Sequence, residues 1–382
     1  MQVADFIVVG AGMAGASIAA ELAGHGRVVL VERETQPGYH ATGRSAALFA
    51  ESYGGPEIRA LTRASRAFLE KADLTGFVEA PLLSDRGCLF IARQDQIASL
   101  DRLEHELGGA TRRLTGREIK GIISAIREDV IVEGLIDDGA MDIDVHNMLH
   151  GYLRLFRARG GATLLDVQSP SVEFAQGSWT LKTSEAAVTA PILINAAGAW
   201  ADEFAELCGL SALGLTPLRR TAVLVDPPAG AIIDHWPCTI DVDEEFYFKP
   251  DAGKLFLSPA DETPTPPSDV QPEDLDVAIA VDRVQGALEL EVRRVNHRWA
   301  GLRTFSTDRV PIVGFDPRAD GFFWFAGQGG YGIQTAPAMA RLGTALASGR
   351  PAPIDIVAEG LNPARLDPQR FLPVHRPAFA HK

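Results

Sequence analysis

Apolar residues recur along this chain in short runs without alternation, separated by glycine-rich turns and by segments of helical period. Asp5-Phe6-Ile7-Val8-Val9 is the first run, and Val28 to Val31 is the second. Uninterrupted β-rich stretches of this kind predict strands buried on both faces of a parallel sheet. Between them, Ala16 to Gly24 predicts a helix. Further on, His146 to Arg159 has an amphipathic helical pattern and stops at Gly160-Gly161. Thr163 to Val167, Trp179 to Thr183 and Ala187 to Asn195 are expected strands. A last helix is expected to begin near Gln334 and Thr335.

A different texture fills the intervening stretches. Cys88 to Ala92, Ala222 to Val225, Thr239 to Asp241, Phe246 to Phe248 and Asn296 to Phe305 are β-rich. Lys249-Pro250-Asp251-Ala252-Gly253-Lys254 is a turn signal before Leu255-Phe256-Leu257 and predicts a hairpin. Thr263 to Pro272 is a proline-rich loop, and Glu273 to Glu289 reads as a helix with acids in its first turn. These pieces predict an antiparallel sheet with a helix on one side. The tail, Pro373 to Lys382, is expected to be loosely ordered.

Composition narrows the picture. The chain has 382 residues, 46% of them hydrophobic and 23% charged, which suits one large or two ordinary globular domains. Its formal charge of −14 argues against a general nucleic-acid binder, which needs a basic face. Phe6 to Ala20 carries no charge, but nothing basic precedes it and it is too short to span a bilayer, so neither a transmembrane segment nor a cleaved signal is expected. Cys88, Cys208 and Cys238 are odd in number and widely spaced. No disulfide framework and no metal site is expected, and the reading is a cytoplasmic protein.

The first turn carries chemistry. Gly10-Ala11-Gly12-Met13-Ala14-Gly15 follows a strand and opens a helix, and Glu32 ends the next strand. In this dinucleotide fingerprint Gly10 makes the tight turn, Gly12 admits a pyrophosphate, and Gly15 lets the helix pack on the strand. N–H groups at the helix start hold the phosphates. The Glu32 carboxylate accepts from ribose hydroxyls and repels a 2′-phosphate.

Three spaced motifs extend the fingerprint. Glu32-Arg33-Glu34 leads into Gly38-Tyr39-His40-Ala41-Thr42-Gly43-Arg44-Ser45-Ala46-Ala47. Asn195-Ala196-Ala197-Gly198-Ala199-Trp200-Ala201 lies downstream, and Trp324 to Ala338 contains Gly327-Gln328-Gly329-Gly330-Tyr331-Gly332-Ile333-Gln334. Together they resemble the FAD-dependent D-amino-acid oxidase superfamily, and within it the bacterial D-arginine dehydrogenase-type enzymes. That resemblance implies an α/β fold: a Rossmann-like FAD-binding domain built from residues 1–84, 142–217 and 307–382. It implies an α+β substrate-binding domain on an antiparallel sheet, from residues 85–141 and 218–306. Non-covalent FAD is implied, held by Gly10, Gly12, Met13, Ala14, Gly15, Glu32, Arg33, Thr42, Gly43, Arg44, Ser45, Ala47, Val167, Ala197, Gly198, Trp200 and the stretch Gly329 to Gln334. His40-Ala41-Thr42-Gly43 also resembles the flavin-attachment site of dimethylglycine dehydrogenases.

Oxidising an amino acid requires its carboxylate to be clamped, its α-C–H aimed at the flavin, and its amine neutral. A guanidinium fork suits the first demand. The resemblance assigns that task to Arg220 and Arg303, leaving Arg219 as the solvent-facing neighbour. It places Tyr53 on a loop over the site, Tyr247 opposite, and Gly330 and Gln334 near the substrate amine. Leu48, Gly87, Cys238 and Ile240 are the implied side-chain pocket. The resembled enzymes carry a His where this chain has Leu48 and a Glu where it has Gly87, so the pocket is expected to suit neutral or apolar side chains. The expected partners are a D-amino acid and an unidentified electron acceptor. A glycine- or sarcosine-type oxidase, a 2-hydroxy-acid dehydrogenase and a flavoprotein subunit without turnover remain alternatives.

Overall fold

In the computed structural model, which describes residues 2–372, six strands form a central sheet in the order Ala162–Leu164, Val28–Val31, Phe6–Val9, Ile192–Asn195, Phe322–Ala326, Ile312–Phe315. All neighbours run parallel except the last two strands, which are antiparallel. Side chains alternate across this sheet. Phe6, Val8, Leu30, Ile194, Phe323 and Phe325 face a core shared with the helices Met13–Leu22, Val145–Ala158 and Ala336–Ala347. Ile7, Val29, Val31, Leu193, Phe322 and Trp324 face the opposite way, onto Trp179 and Leu181 of a second sheet. That sheet has four strands, Gln2–Val3, Ala187–Ala190, Ser178–Lys182 and Ser171–Ala175. Both faces of the parallel sheet are therefore covered, which is why its strands are unbroken apolar runs.

Three local expectations are corrected. The first helix starts at Met13 and ends at Leu22, because Gly12 is the N-cap and the glycine turn feeds straight into it. Ala187 to Asn195 is two strands, not one: Pro191 interrupts the run, and the two halves belong to different sheets. The last helix begins at Ala336 with Thr335 as its cap, since Pro337 fits the first turn and Gln334 lies in the preceding bend. Residues 373–382, read from sequence as a loose tail of the FAD-binding domain, lie outside the described residues.

A nine-stranded, mostly antiparallel sheet forms the other half. Its central strands are Thr216–Val225, Lys254–Ser258, Tyr247–Asp251, Cys238–Asp241 and Cys88–Arg93, with Val295–Phe305 alongside the first. The helix Asp274–Ala287 lies on one face, over Val223, Val225, Phe248, Leu255 and Leu257. The alternate residues Arg220, Ala222, Tyr247 and Phe256 line a cavity on the other face. This period-2 division corrects Arg219. Arg220 faces the cavity, so Arg219 faces the helix, where it is 6% exposed and pairs with Glu273 and Asp276. A small sheet of Leu48–Phe49, Met141–Ile143 and Leu83–Asp85 sits where the chain crosses between the halves. The helices Pro56–Glu70 and Ile97–Leu107 add to the elements anticipated above.

The glycine turn leaves no room for side chains. A Cβ on Gly15 would stand 1.7 Å from the Gly10 carbonyl oxygen, and one on Gly10 would stand 2.4 Å from that of Ala196. Gly15→Ala is therefore expected to destabilise the apoprotein by about 1–3 kcal/mol or more, since backbone must move to relieve the overlap. A shift of the urea midpoint measures this, and an unchanged midpoint would mean the helix packs on the strand less tightly than described.

Candidate active site and cofactor cavity

A cavity of about 560 Å³ runs between the two halves. One end is framed by Gly10, Gly12, Met13, Ala14, Glu32, Arg33, Val167, Ala197, Gly198 and Trp200. The middle is bounded by Thr42, Arg44 and Ser45, and the far end by Arg220, Tyr247, Phe256, Arg303, Gly329, Gly330, Gly332 and Ile333. The three motif segments thus converge on one space.

Local bonding fixes the first end. Glu32 is buried, and its two oxygens accept from the backbone N–H groups of Ala11 (2.6 Å) and Glu34 (3.0 Å). A carboxylate has lone pairs beyond these two bonds for a hydroxyl in the cavity. Thr42 Oγ1 accepts from Met13 N–H at 2.9 Å, so one helix-terminal donor is already satisfied by the protein. Val167 N–H donates to the Glu32 carbonyl at 3.0 Å, which holds its backbone against this end. Arg33 lies 4.8 Å over the Trp200 ring, a flat cationic and aromatic wall. His40 also lines the cavity, with Nε2 2.9 Å from Glu34 Oε1 and its ring 4.6 Å from that of Trp200.

Arg44 is spent on the protein. Its Nη1 donates to the carbonyls of Val270 (3.2 Å) and Ala300 (3.0 Å), and its Nη2 to Asp269 at 2.5 Å. Tyr39 donates to the same carboxylate at 3.1 Å. The proline-rich loop is thereby strapped across the cavity, and its Ser268 and Val270 become part of the lining.

The far end has unequal arginines. Arg220 is buried; its Nε donates to the Asp261 carbonyl at 2.9 Å, and its Nη2 meets Glu262 at 3.2 Å. Glu262 is shared with Arg309. Arg303 makes no ion pair among the described residues, and Glu262, which feels its charge, is taken by Arg220 and Arg309. Its Nη2 donates to the Tyr247 hydroxyl at 3.2 Å, and Gly330 leaves it room: a Cβ there would stand 2.9 Å from Nη1. An uncompensated guanidinium facing a cavity is an anion site. Burial, then Glu244 and Tyr331, push the Tyr53 phenol well above its ordinary value, so it stays a neutral donor near this charge.

Other expected site residues lie elsewhere. Gly15 and Gly43 pack against the Gly10 and Gly38 carbonyls, and Ala47 packs on the helix-side core. Leu48, Cys238, Ile240 and Tyr53 share one apolar cluster, and Tyr247, which lines the cavity, packs against it. Gly87 lines neither this cavity nor the one beside it; its φ of +75° sets a turn into the strand that follows. Gln334 is buried, accepts from Ala50 N–H at 3.2 Å, and its amide nitrogen has no protein partner. Tyr53 and Tyr331 line the second cavity instead of the first. Cys88 and Cys238 are buried opposite each other in neighbouring strands, and burial pushes the Cys238 thiol up to about 11. Ala222, Phe256, Ser268 and Val270 were not anticipated. Only Ala222 had a signal, because it stands two positions from Arg220 in one strand and shares its face.

Residues 5–346 match the family described as FAD dependent oxidoreductase (DAO), and the chain belongs to that family. It is 24% identical to FAD-dependent oxidoreductase domain-containing protein 1 of Mus musculus, over 88% of this chain and 80% of that protein. It is 24% identical to mitochondrial dimethylglycine dehydrogenase of Rattus norvegicus, over 96% of this chain and 45% of that protein. The glycine oxidase structure from Geobacillus kaustophilus superposes with a TM-score of 0.82, at 20% identity, covering 98% and 100% of the two chains. That last likeness shows the fold.

FAD is the cofactor of this family, and the cavity fits it. Gly10, Gly12, Gly198 and Gly330 give it stretches of wall without side chains, the buried Glu32 borders one end, and Arg220 and Arg303 border the other. Among the described residues, no cluster of three or more His, Cys, Asp or Glu side chains is arranged to hold a metal, and no helix is long and apolar enough to cross a membrane. Because the strap is tied by a half-exposed carboxylate, Asp269→Ala is expected to weaken FAD binding about 2- to 5-fold, the scale of a partly exposed ion pair. Flavin fluorescence on dilution reads this, and an unchanged Kd would detach the loop from cofactor retention.

Proposed function

We propose that this protein oxidises a D-amino acid with a neutral or apolar side chain, releasing a 2-oxo acid and ammonia. The observation that carries the proposal is Arg303, a guanidinium without an ion pair beside Tyr247 in a flavin cavity. The substrate carboxylate completes that pair, with Tyr247 as a further donor and Arg220 behind it. Bound FAD supplies the two-electron oxidation by accepting hydride from the α-carbon. The amine arrives neutral, its lone pair forms the C=N bond as the α-C–H pair leaves, and water then displaces ammonia. Gly330 leaves the Arg303 guanidinium its place, since a Cβ there would stand 2.9 Å from Nη1. The D configuration and the kinship with D-arginine dehydrogenase-type enzymes rest on the motif resemblance. A glycine- or sarcosine-type substrate is the second reading, favoured by the likeness to dimethylglycine dehydrogenase. The electron acceptor is a separate molecule that this reading leaves open.

The two arginines are expected to differ on substitution. Arg303→Met removes one partner of a desolvated charge pair, a loss of roughly 2–5 kcal/mol, or about 30- to several-thousand-fold in kcat/KM. Arg220→Met is expected to cost about tenfold, because Glu262 keeps Arg309 as its partner. Equal losses would mean that both guanidinia grip the carboxylate; wild-type kinetics in Arg303→Met would remove it from the site.

The acids lining the cavity, Glu32 and Glu203, flank the dinucleotide end, and Glu262, the acid that acts on Arg303, is already paired with Arg220 and Arg309, so a cationic side chain finds no free carboxylate there. D-leucine, D-methionine and D-phenylalanine are expected to exceed D-arginine in kcat/KM by at least tenfold. D-arginine ranking first would overturn the pocket argument. Flavin reduction by sarcosine or glycine alone would establish the second reading.

A further inference from the structure

Behind the far end of the cofactor cavity, one carboxylate is shared by two guanidinia. Glu262 Oε1 accepts from Arg220 Nη2 at 3.2 Å and from Arg309 Nη2 at 2.6 Å, and its Oε2 accepts from Arg309 Nη1 at 3.0 Å. Arg309 thus holds the acid in a two-pronged fork, while Arg220 shares one oxygen. The pairing with Arg309 keeps Glu262 below the usual carboxylate range against the opposing effect of its partial burial, and Arg220 and Arg303 add to this.

The preceding residues fix the acid in place. Asp261 accepts from the Thr221 N–H at 2.6 Å and from its hydroxyl at 3.0 Å, and the Asp261 carbonyl accepts from Arg220 Nε at 2.9 Å. Ala260 stands at φ +52°, a left-handed conformation that a residue with a side chain keeps only where its surroundings impose it. Two consecutive acids therefore clamp two consecutive residues of the strand Thr216–Val225. Glu262 cannot leave Arg220 without breaking this run of contacts.

Arg220 and Arg303 are diagonal neighbours on the cavity face. Arg220 lies opposite Gly301 and Arg303 opposite Leu218 in the paired strands, a spacing of about 7–8 Å. Tyr247 touches both, with its hydroxyl on Arg303 and its ring 5.9 Å from the Arg220 guanidinium. Arg309 is half-exposed, so water screens its charge. Of the other three groups, two are positive and Glu262 is negative. The single positive charge left over is matched by one substrate carboxylate. A second carboxylate meets an Arg220 that is already taken and a like charge behind it.

We infer that Glu262 is a specificity-determining residue: by occupying Arg220 it limits the site to one carboxylate and excludes amino acids whose side chain carries a second. This rests on the reading of Arg303 as the carboxylate anchor. Glu262 is a positioning residue, because it acts through Arg220. It is also partly exposed, so its effect is about tenfold, smaller than the loss from a fully desolvated pair.

The test uses the FAD-loaded protein and two redox-inert carboxylates of equal chain length, butyrate and succinate, titrated against the flavin absorbance at neutral pH. Wild-type protein is expected to bind butyrate at least tenfold more tightly than succinate. Glu262→Gln removes the charge at nearly unchanged size, and the preference is expected to shrink about tenfold through tighter succinate binding. Glu262→Asp keeps the charge and is expected to keep the preference. The kcat/KM of D-aspartate and D-glutamate relative to D-alanine should move the same way. Succinate binding the wild type as tightly as butyrate overturns the inference without any substitution. An unchanged ratio in Glu262→Gln also overturns it, as does equal weakening of both ligands, the mark of a structural role alone. Butyrate on the wild type and on Arg303→Met checks the anchor separately. If butyrate leaves the wild-type flavin unperturbed, or still binds Arg303→Met, the anchor is misassigned and the inference falls with it. A failure confined to Glu262→Gln overturns the inference and leaves the anchor standing.

Discussion

The backbone crossing at Gly10, Gly15 and Ala196 is the constraint on which the remaining structure depends. There the first strand, the first helix and the strand end at Asn195 approach until no Cβ fits between them. That approach sets the helix start against the edge of a fully covered parallel sheet. It also brings the turn, the buried Glu32 and the Ala197–Trp200 segment to one end of the cavity. Each is remote in sequence from the others, and each is placed by the same contact.

The second half is organised by strand alternation. One face of the large sheet packs on the Asp274–Ala287 helix, and the other presents Arg220, Ala222, Tyr247 and Phe256 to the cavity. Two adjacent arginines consequently have opposite lives. Arg219 is neutralised by acids under the helix, and Arg220 reaches the cavity with half a claim on Glu262. Arg303, in the neighbouring strand, makes no ion pair among the described residues and keeps only the Tyr247 hydroxyl. The positive end of the cavity is thus a consequence of register, since a one-residue slip would bury the wrong arginine.

Much of the cofactor half was legible because its signals are local. The Gly10–Gly15 turn, the two buried runs and the acid at Glu32 are short-range features whose mechanical requirements admit few sequences. What escaped depended on contacts between distant segments. Arg219 looked solvent-facing because nothing near it announces a helix from residue 274 laid over that face. Arg44 sits in a cofactor motif, yet its guanidinium is consumed by Asp269, Val270 and Ala300, more than 220 positions away. Tyr331 belongs by motif to the glycine-rich stretch, but its ring packs against Gly54 and lines the second cavity instead. Pro191 was visible and was read through; it separates two strands of different sheets.

The central claim is that an unpaired guanidinium in an FAD cavity selects substrates by their carboxylate. Anaerobic mixing of the FAD-loaded protein with matched pairs, such as D-alanine against ethylamine and sarcosine against dimethylamine, tests it most directly. The account predicts that the amino acids bleach the flavin and the amines lacking a carboxylate do not, by at least a hundredfold in rate. Bleaching by both members of a pair at similar rates would contradict it.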